Sequence, residues 1–252
     1  MLLGRARAKP LEDTAQSKAG SETKMLAIST SDEWRTSHPG ATIGVLELSD
    51  VDSRTGSSAA LNERKREVEA RLRERYTGFT RQDLLALPVL SAYDRYYTRF
   101  NKTYHVQLQL ESIVFKGKRL PDVLPAVDAN FMAEVETQVL TAGHDVARLR
   151  GSICMDVART GDQVTQMNGS SKAIPAGDMI MRDAGGVCCS IIYGQDNRSP
   201  IARTTAGVLY VAYAPAGVPA ESVAGQLQRI EENIRRFAPE AKVEQRRLLT
   251  AL

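Results

Sequence analysis

The sequence predicts an α+β fold with a largely antiparallel mixed sheet flanked by helices. Helical patterns dominate between residues 59 and 140, strand patterns dominate from residue 143 onward, and one amphipathic helix follows near the C-terminus. Helices, then strands, then a helix are typical of segregated α+β chains rather than of alternating βαβ units. The chain of 252 residues is long enough to bury a full core.

Composition narrows the class of protein. The net charge of +3 is mildly basic and compatible with an anionic partner. Three cysteines, of which Cys188 and Cys189 are adjacent, form no disulfide framework and predict buried free thiols in a reducing compartment. No apolar run approaches the roughly 20 residues that span a membrane. The apolar run at the start of the chain is too short to be the core of a signal peptide. We therefore expect a cytoplasmic protein that does not bind membranes.

The N-terminal part divides into a tail and the start of a domain. Residues 1–24 are polar and unpatterned, which predicts a disordered tail or an over-extended start with Met25 as the effective beginning. We expect residues 25–252 to form a single domain. The first predicted strand covers residues 42–48, and residues 50–58 form a polar loop.

A helix is predicted over residues 59–76, where Leu61, Val68 and Leu72 share one face. Acidic and basic side chains interleave on the other faces, which favours a solvated surface of ion pairs. The basic residues have an alternative use, contact with RNA phosphates. The candidate RNA-contacting residues are Arg64, Lys65, Arg66 and Arg71, together with the later run Lys116, Lys118 and Arg119.

Three further segments precede the strand-rich half. Helices are expected over residues 81–87 and 89–100, the second just after a proline. Residues 104–115 fit both an alternating strand and a helix. Residues 120–140 read as helical, and Asp128 lies there among apolar neighbours, where an unpaired carboxylate would be costly. We expect Asp128 to buttress the fold through bonded partners.

The second half predicts an antiparallel meander followed by a helix over residues 221–237. Gly185 and Gly186 suit a tight hairpin between two of its strands. The predicted strands are residues 153–157, 163–167, 179–182, 187–193 and 208–213.

A polar segment follows the most apolar predicted strand. It reads Gly194-Gln195-Asp196-Asn197-Arg198-Ser199 and is closed by Pro200. Polar groups at the end of a buried strand can form a site on a rigid support, whereas the alternative is a solvated loop of turn formers. A triad of Ser199, His144 and Asp145 lacks the nucleophile-elbow sequence. The histidines are scattered and no Cys/His spacing resembles a zinc site, so we expect neither metal nor cofactor.

The order of several short motifs resembles the editing domain of the phenylalanyl-tRNA synthetase beta subunit, the B-three/B-four module, in its free-standing bacterial form. The resemblance covers residues 93–215. The motifs are Leu120-Pro121, Val127-Asp128-Ala129-Asn130, Gly143-His144-Asp145, Leu149-Arg150-Gly151, Gly177-Asp178, Asp183 and Gln195-Asp196-Asn197-Arg198.

The resemblance implies a function. In the synthetase this module hydrolyses tyrosine wrongly esterified to the phenylalanine tRNA. It therefore implies a stand-alone trans-editing hydrolase that deacylates mischarged aminoacyl-tRNA, with tRNA or aminoacyl-tRNA as partner. The alternative is a non-catalytic module of the same fold that binds tRNA or an amino acid. Nothing resembles the class II aminoacylation motifs, so we do not expect a ligase.

The resemblance also implies site residues. The synthetase carboxylate that discriminates the misplaced amino acid falls at Gln195 or Asp196, and we favour Asp196 because it keeps the carboxylate. A pocket threonine corresponds to Thr204 or Thr205. The synthetase histidine falls at Ala142, with His144 two residues later. The implied catalytic residues are Asp196, Thr204 and Thr205, and the implied substrate-binding residues are Asn130, His144, Gly194, Gln195, Asn197 and Arg198.

These assignments lead to expectations about the reaction and about stability. An aminoacyl ester is already activated, so its hydrolysis needs a placed water and donors for the developing oxyanion more than a strong base. Asp196, at the exit of a strand, is expected to serve the pocket and to be dispensable for folding. Arg198 is expected either to meet the terminal phosphate of the tRNA or to pair with Asp196. Asp128 is expected to matter for stability.

Overall fold

The computed structural model describes residues 25–52, 54 and 59–252. The predicted tail at residues 1–24 lies outside the described residues. Residues 53 and 55–58 of the predicted polar loop lie outside them as well. The α+β prediction is confirmed, because mixed, mostly antiparallel sheets are flanked by helices. Within the described ranges no helix is long and apolar enough to cross a membrane.

The helices lie mainly in the first half and at the end of the chain, and the strands lie mainly between them. The helices are α1 (Asp32–Ser37), α2 (Ala59–Arg75), α3 (Arg81–Leu85), α4 (Pro88–Thr98), α5 (His105–Lys116), α6 (Pro125–Thr137) and α7 (Ala220–Ile234). The strands are β1 (Ile28–Thr30), β2 (Thr42–Ser49), β3 (Thr141–Asp145), β4 (Ile153–Val157), β5 (Gln163–Thr165), β6 (Ser171–Ala173), β7 (Met179–Asp183), β8 (Gly186–Ser190), β9 (Gly194–Gln195), β10 (Val208–Ala214) and β11 (Lys242–Thr250).

Two sheets carry the core. The first has the order β1-β4-β7-β8-β9, in which β1 and β4 are parallel and the other neighbours antiparallel. The second has the order β11-β2-β10-β3 and is antiparallel throughout. Strand β10 is buried along its whole length, as its unbroken apolar sequence predicts. The predicted hairpin connects β7 to β8, and Gly186 there has a φ of 113°.

The two sheets meet where β3 ends. The backbone N–H of Asp145 donates to the carbonyl of Ser199 at 2.9 Å, and His144 forms an isolated bridge with Pro200. The polar segment after β9 is therefore attached to the edge of the second sheet. This junction positions the site described below.

Helix α7 packs on β2 as its amphipathic pattern predicts. Val223 and Leu227 are fully buried. A Cβ built on Gly44 of β2 would lie 2.7 Å from Val223 Cγ1, so only glycine allows this close approach of helix and sheet.

The structure resolves one ambiguous segment and shortens one predicted helix. The ambiguous residues 104–115 form helix α5, because Val106, Leu110 and Ile113 are buried with helical spacing. The helix ends at Gly117, whose φ of 62° suits a left-handed cap. The helix expected over residues 120–140 covers only α6, and the chain after it turns into β3, which the sequence did not predict.

Two basic side chains of α2 are buried in the protein. Lys65 is fully buried and its Nζ lies 2.7 Å from Asp128 Oδ2, while Asp128 Oδ1 accepts the Val123 N–H at 3.0 Å. Arg64 is also buried and donates to Glu136 at 2.9 Å. The buttressing expected for Asp128 is confirmed. The alternative of RNA contact by Lys65 and Arg64 is wrong, because both cations are buried in ion pairs.

Candidate functional site

An apolar cavity of about 370 Å³ opens at the junction of the two sheets. Helix α6 contributes Val127 and Phe131, strand β10 contributes Tyr210, and the segment after β9 contributes Ile201. Concave, mostly apolar pockets of this size bind small molecules or their side chains. The cavity is therefore the candidate site.

Two amide side chains lie in the cavity wall. Asn130 Nδ2 donates to the Thr141 carbonyl at 2.9 Å, and its Oδ1 accepts from Gln226 at 3.3 Å. Gln195 Nε2 donates to the Ser199 carbonyl at 2.8 Å. Within the described chain no donor reaches Gln195 Oε1, so this oxygen is a free acceptor at the cavity. It is suited to accept from an ammonium or hydroxyl group.

His105 is the one titratable imidazole among the described residues that line the cavity, and none of those lining residues carries a carboxylate, ammonium or guanidinium group. It begins helix α5, is exposed to solvent, and its Nδ1 lies 3.5 Å from the Tyr97 hydroxyl. The cavity thus presents an almost uncharged surface to a ligand.

A buried carboxylate lies behind the cavity wall. The Ser190 hydroxyl, which belongs to a lining residue, donates a short hydrogen bond to Asp178, and the Tyr96 hydroxyl donates to the same carboxylate at 2.7 Å. Burial raises the pKa of Asp178 to about 6, and the two hydroxyl donors oppose that rise. Asp178 therefore holds Ser190 in place rather than facing the ligand.

Asp196 lies elsewhere than expected. Its side chain is only about 1% exposed and does not line the cavity. Its Oδ1 accepts from the hydroxyl of Ser199 at 2.8 Å and from the Ser199 N–H at 3.2 Å. Its Oδ2 lies 2.6 Å from Arg198 Nε. The turn after β9 directs the carboxylate into these bonds and away from the cavity, which indicates a role in folding, while the catalytic role of Asp196 stays a prediction.

The neighbours of Asp196 have separate positions. Arg198 pairs with Asp196 and lies 3.2 Å from Asp183, which matches the structural-pair alternative. The side chain of Asn197 points to solvent, while its N–H donates to Thr165 at 2.9 Å. Neither residue lines the cavity.

Thr204 and Thr205 are also outside the cavity. Thr205 is buried, and its hydroxyl donates to Asp145 Oδ2 at 2.7 Å and accepts the Ala202 N–H at 2.9 Å. Thr204 is exposed beside a different groove that includes Arg54. The loop before β10 turns Thr205 toward the end of β3, so neither threonine faces the cavity, and their role as catalytic residues stays a prediction.

His144 supports the cavity from behind Gln195. It is fully buried, and its Nδ1 lies 2.8 Å from Ser199 Oγ and 3.2 Å from Gln195 Nε2. Burial lowers the pKa of His144 to about 3, so the imidazole is neutral at pH 7. Asp145 bonds to Thr205 and to the Ala147 N–H instead of to His144. The residues therefore do not form a catalytic triad.

The structure brings together part of the predicted set. Of those residues, Asn130, Gly194 and Gln195 line the cavity. Sequence reasoning missed His105, which carried only the signal of a histidine at the start of an amphipathic segment. It also missed Ser190, the last residue of strand β8, because a serine in an apolar run carries no functional signal.

Comparison with known proteins gives a family and several structural neighbours. The family model of the B3/4 domain matches residues 91–245. An N-terminal fragment of the phenylalanyl-tRNA synthetase beta subunit from Pyrococcus horikoshii has a similar fold, with 9% identity and a TM-score of 0.44. The similarity covers 86% of this chain and 50% of that chain, so this chain spans half the length of the matched fragment. No curated protein matches.

Proposed function

The chain belongs to the B3/4 domain family, and from this premise we propose that it is a trans-editing hydrolase that deacylates mischarged aminoacyl-tRNA. The proposal includes tRNA or aminoacyl-tRNA as partner and the cavity at the sheet junction as the reaction site. The resemblance of residues 93–215 to an editing module supports it.

The observation that carries the proposal is the chemical character of the cavity. Its described walls are apolar side chains with a few amide and hydroxyl groups, and its volume of about 370 Å³ suits an amino-acid side chain. The free Oε1 of Gln195 can accept a hydrogen bond from the ammonium group of the aminoacyl ester. An uncharged pocket selects its occupant by size and by these few hydrogen bonds.

The same character determines the proposed reaction. No carboxylate lines the described part of the cavity, so the hydroxyl group of the terminal ribose next to the ester serves as the proton relay. The oxygen of a water molecule bonds to the ester carbonyl carbon, and the water proton passes through that hydroxyl. The bond between carbonyl carbon and ribose oxygen breaks, and the ribose oxygen takes up the proton. The products are a free amino acid and deacylated tRNA. The protein's contribution is positioning.

The test is direct hydrolysis of ester substrates. Purified protein is incubated with a panel of tRNAs, each esterified to a mismatched amino acid, in the presence of a chelator. We expect loss of the ester above the buffer rate for at least one pair. Absence of hydrolysis for every pair would remove the proposal.

One observation favours a second function, a non-catalytic module that binds tRNA or an amino acid. Among the described lining residues, His105 alone offers an imidazole, and the residues implied as catalytic lie outside the cavity. A thermal-shift screen against free amino acids and uncharged tRNA separates the two functions. Binding without ester turnover supports the module, and turnover excludes it.

A further inference from the structure

A second pocket, of about 290 Å³, lies where α1, α4 and the residues after β10 meet. Its walls include His38, Arg95, Tyr96, Arg99 and Pro215, none of which lines the larger cavity. Three separate parts of the chain therefore form this pocket, and the proposed hydrolysis does not use it.

Two arginines of the pocket lack an acidic partner among the described residues. Arg95 lies in the last turn of α4 and Arg99 caps its end, four residues later, where like charges repel. Arg95 donates to the Ser91 hydroxyl at 2.8 Å, and the Arg99 guanidinium lies 5.4 Å from the centre of the Tyr96 ring. In the described part of the chain, no carboxylate forms an ion pair with either arginine. Their charge is available to an anion.

A buried histidine faces the same pocket. His38 is 6% exposed, and its Nε2 has no hydrogen-bond partner among the described residues. Burial, reinforced by the Arg99 charge, lowers the pKa of His38 to about 4. The neutral ring can carry its proton on Nε2 and act as a donor. A buried polar atom without a partner calls for an unseen ligand or water.

We propose that this pocket binds a phosphate group, carried either by a small phosphorylated molecule or by an RNA backbone. Guanidinium groups match phosphate oxygens in geometry and charge, and the buried His38 ring forms the wall beside them. Gly217 lies next to the Arg95 guanidinium. A Cβ there would lie 2.7 Å from Arg95 Nη2, so a larger residue would displace the guanidinium.

The first test follows the histidine directly. The chain contains three histidines, and their ring nitrogens can be followed by NMR during titration with inorganic phosphate, against sodium chloride of equal ionic strength. We expect a saturable shift of the His38 resonances with phosphate alone, while those of the buried His144 stay unchanged. A shift at His38 would assign phosphate to this pocket without any use of the deacylation assay.

The second test removes the arginines and includes RNA. Arg95→Gln/Arg99→Gln is compared with Arg236→Gln, an exposed arginine outside the pocket. We expect the double variant to lose at least tenfold in affinity for phosphate, or for uncharged tRNA, with a salt dependence of tRNA binding reduced by about two units. The control stays within twofold of the wild type.

The two arms identify the source of the phosphate. Saturable binding of inorganic phosphate indicates a small phosphorylated ligand, and an effect confined to tRNA indicates the RNA backbone. The proposal is overturned if neither ligand moves the His38 resonances, or if the double variant binds both ligands as the control does. Because uncharged tRNA and inorganic phosphate carry no ester, failure here is distinct from failure of the proposed hydrolysis.

Discussion

Lys65 Nζ lies 2.7 Å from Asp128 Oδ2, and neither side chain reaches solvent. The pair links α2 to the first turn of α6, the helix that contributes Val127 to the cavity. Lys65 Nζ also donates to the Pro121 carbonyl at 2.9 Å, so the charge is satisfied on several sides. The position of α6, which forms one side of the site, thus depends on a buried ion pair with α2.

Asp128→Ala is expected to lower the free energy of unfolding by about 3–5 kcal/mol, because it leaves a buried ammonium group without its carboxylate. Urea unfolding measures this change. The control is Asp122→Ala, which removes an exposed carboxylate from the same lysine and is expected to cost about 1 kcal/mol or less. Equal losses of unfolding free energy in the two variants would show that the buried ion pair contributes no more to stability than the exposed one.

Asp196→Ala is expected to destabilise the protein by at least about 1–3 kcal/mol, because the Ser199 hydroxyl and the Arg198 guanidinium lose their acceptor. Chemical denaturation followed by circular dichroism provides the measurement. Asn197→Ala, at an exposed neighbour, serves as the control and should stay within about 0.5 kcal/mol. A stable Asp196→Ala protein that has lost ester hydrolysis would restore the catalytic interpretation of this carboxylate.

Stability is expected to fall as the pH rises from 6.5 to 8. Burial raises the pKa of Glu134 to about 8, from 4.5, so the folded state keeps a proton that the unfolded state has lost. The stabilisation is complete below the unfolded pKa and disappears as the pH passes the folded pKa. Each pH unit between removes up to about 1.4 kcal/mol.

Comparison with Glu134→Gln separates Glu134 from other groups. Burial lowers the pKa of His38 to about 4 and that of His144 to about 3, from 6.5 in the unfolded chain, so these histidines oppose the fall near pH 6.5 to the same extent in both proteins. Glu134→Gln should remove the fall of unfolding free energy with pH within this window. Urea titrations at pH 6.5, 7.2 and 8 measure it, and an unchanged slope in the variant would contradict the assignment.

The sequence predicted most core elements because their signal is local. Strand β10 and helix α7 follow from an apolar run and an amphipathic pattern. Strand β3 could not be predicted, because Ala142 and Gly143 have low strand propensity and pair with β10 only through tertiary context. Strand β11 was missed because it is polar and carries an irregularity between Val243 and Gln245, which breaks the period of two.

The site was predicted only in part for a related reason. The sequence placed a polar segment after a buried strand, and Gln195 does line the cavity. The direction of each side chain depends on how the turn folds, and the turn buries Asp196 against Arg198. His105 comes from a distant helix, so no local pattern could have joined it to this segment.

His105→Gln is expected to leave the deacylation rate within about threefold of the wild type, because the proposed reaction uses the substrate's ribose hydroxyl as its proton relay. A general base typically contributes about 10²–10⁴-fold to a rate. The comparison substrate is a mischarged tRNA whose terminal ribose lacks the neighbouring hydroxyl, which should be hydrolysed at least 100-fold more slowly. A large loss with His105→Gln, together with a changed pH–rate profile, would instead identify the imidazole as the base.

Filling the cavity tests whether it holds the amino-acid side chain during hydrolysis. Val127→Phe places an aromatic ring in the cavity wall, and Val243→Phe makes the same exchange on the edge strand β11, away from the cavity. The measurement is kcat/KM for the best mischarged tRNA. We predict a loss of at least tenfold, or about 1.4 kcal/mol, for Val127→Phe and none for Val243→Phe. Equal rates for wild type and Val127→Phe, with both proteins folded, would contradict it.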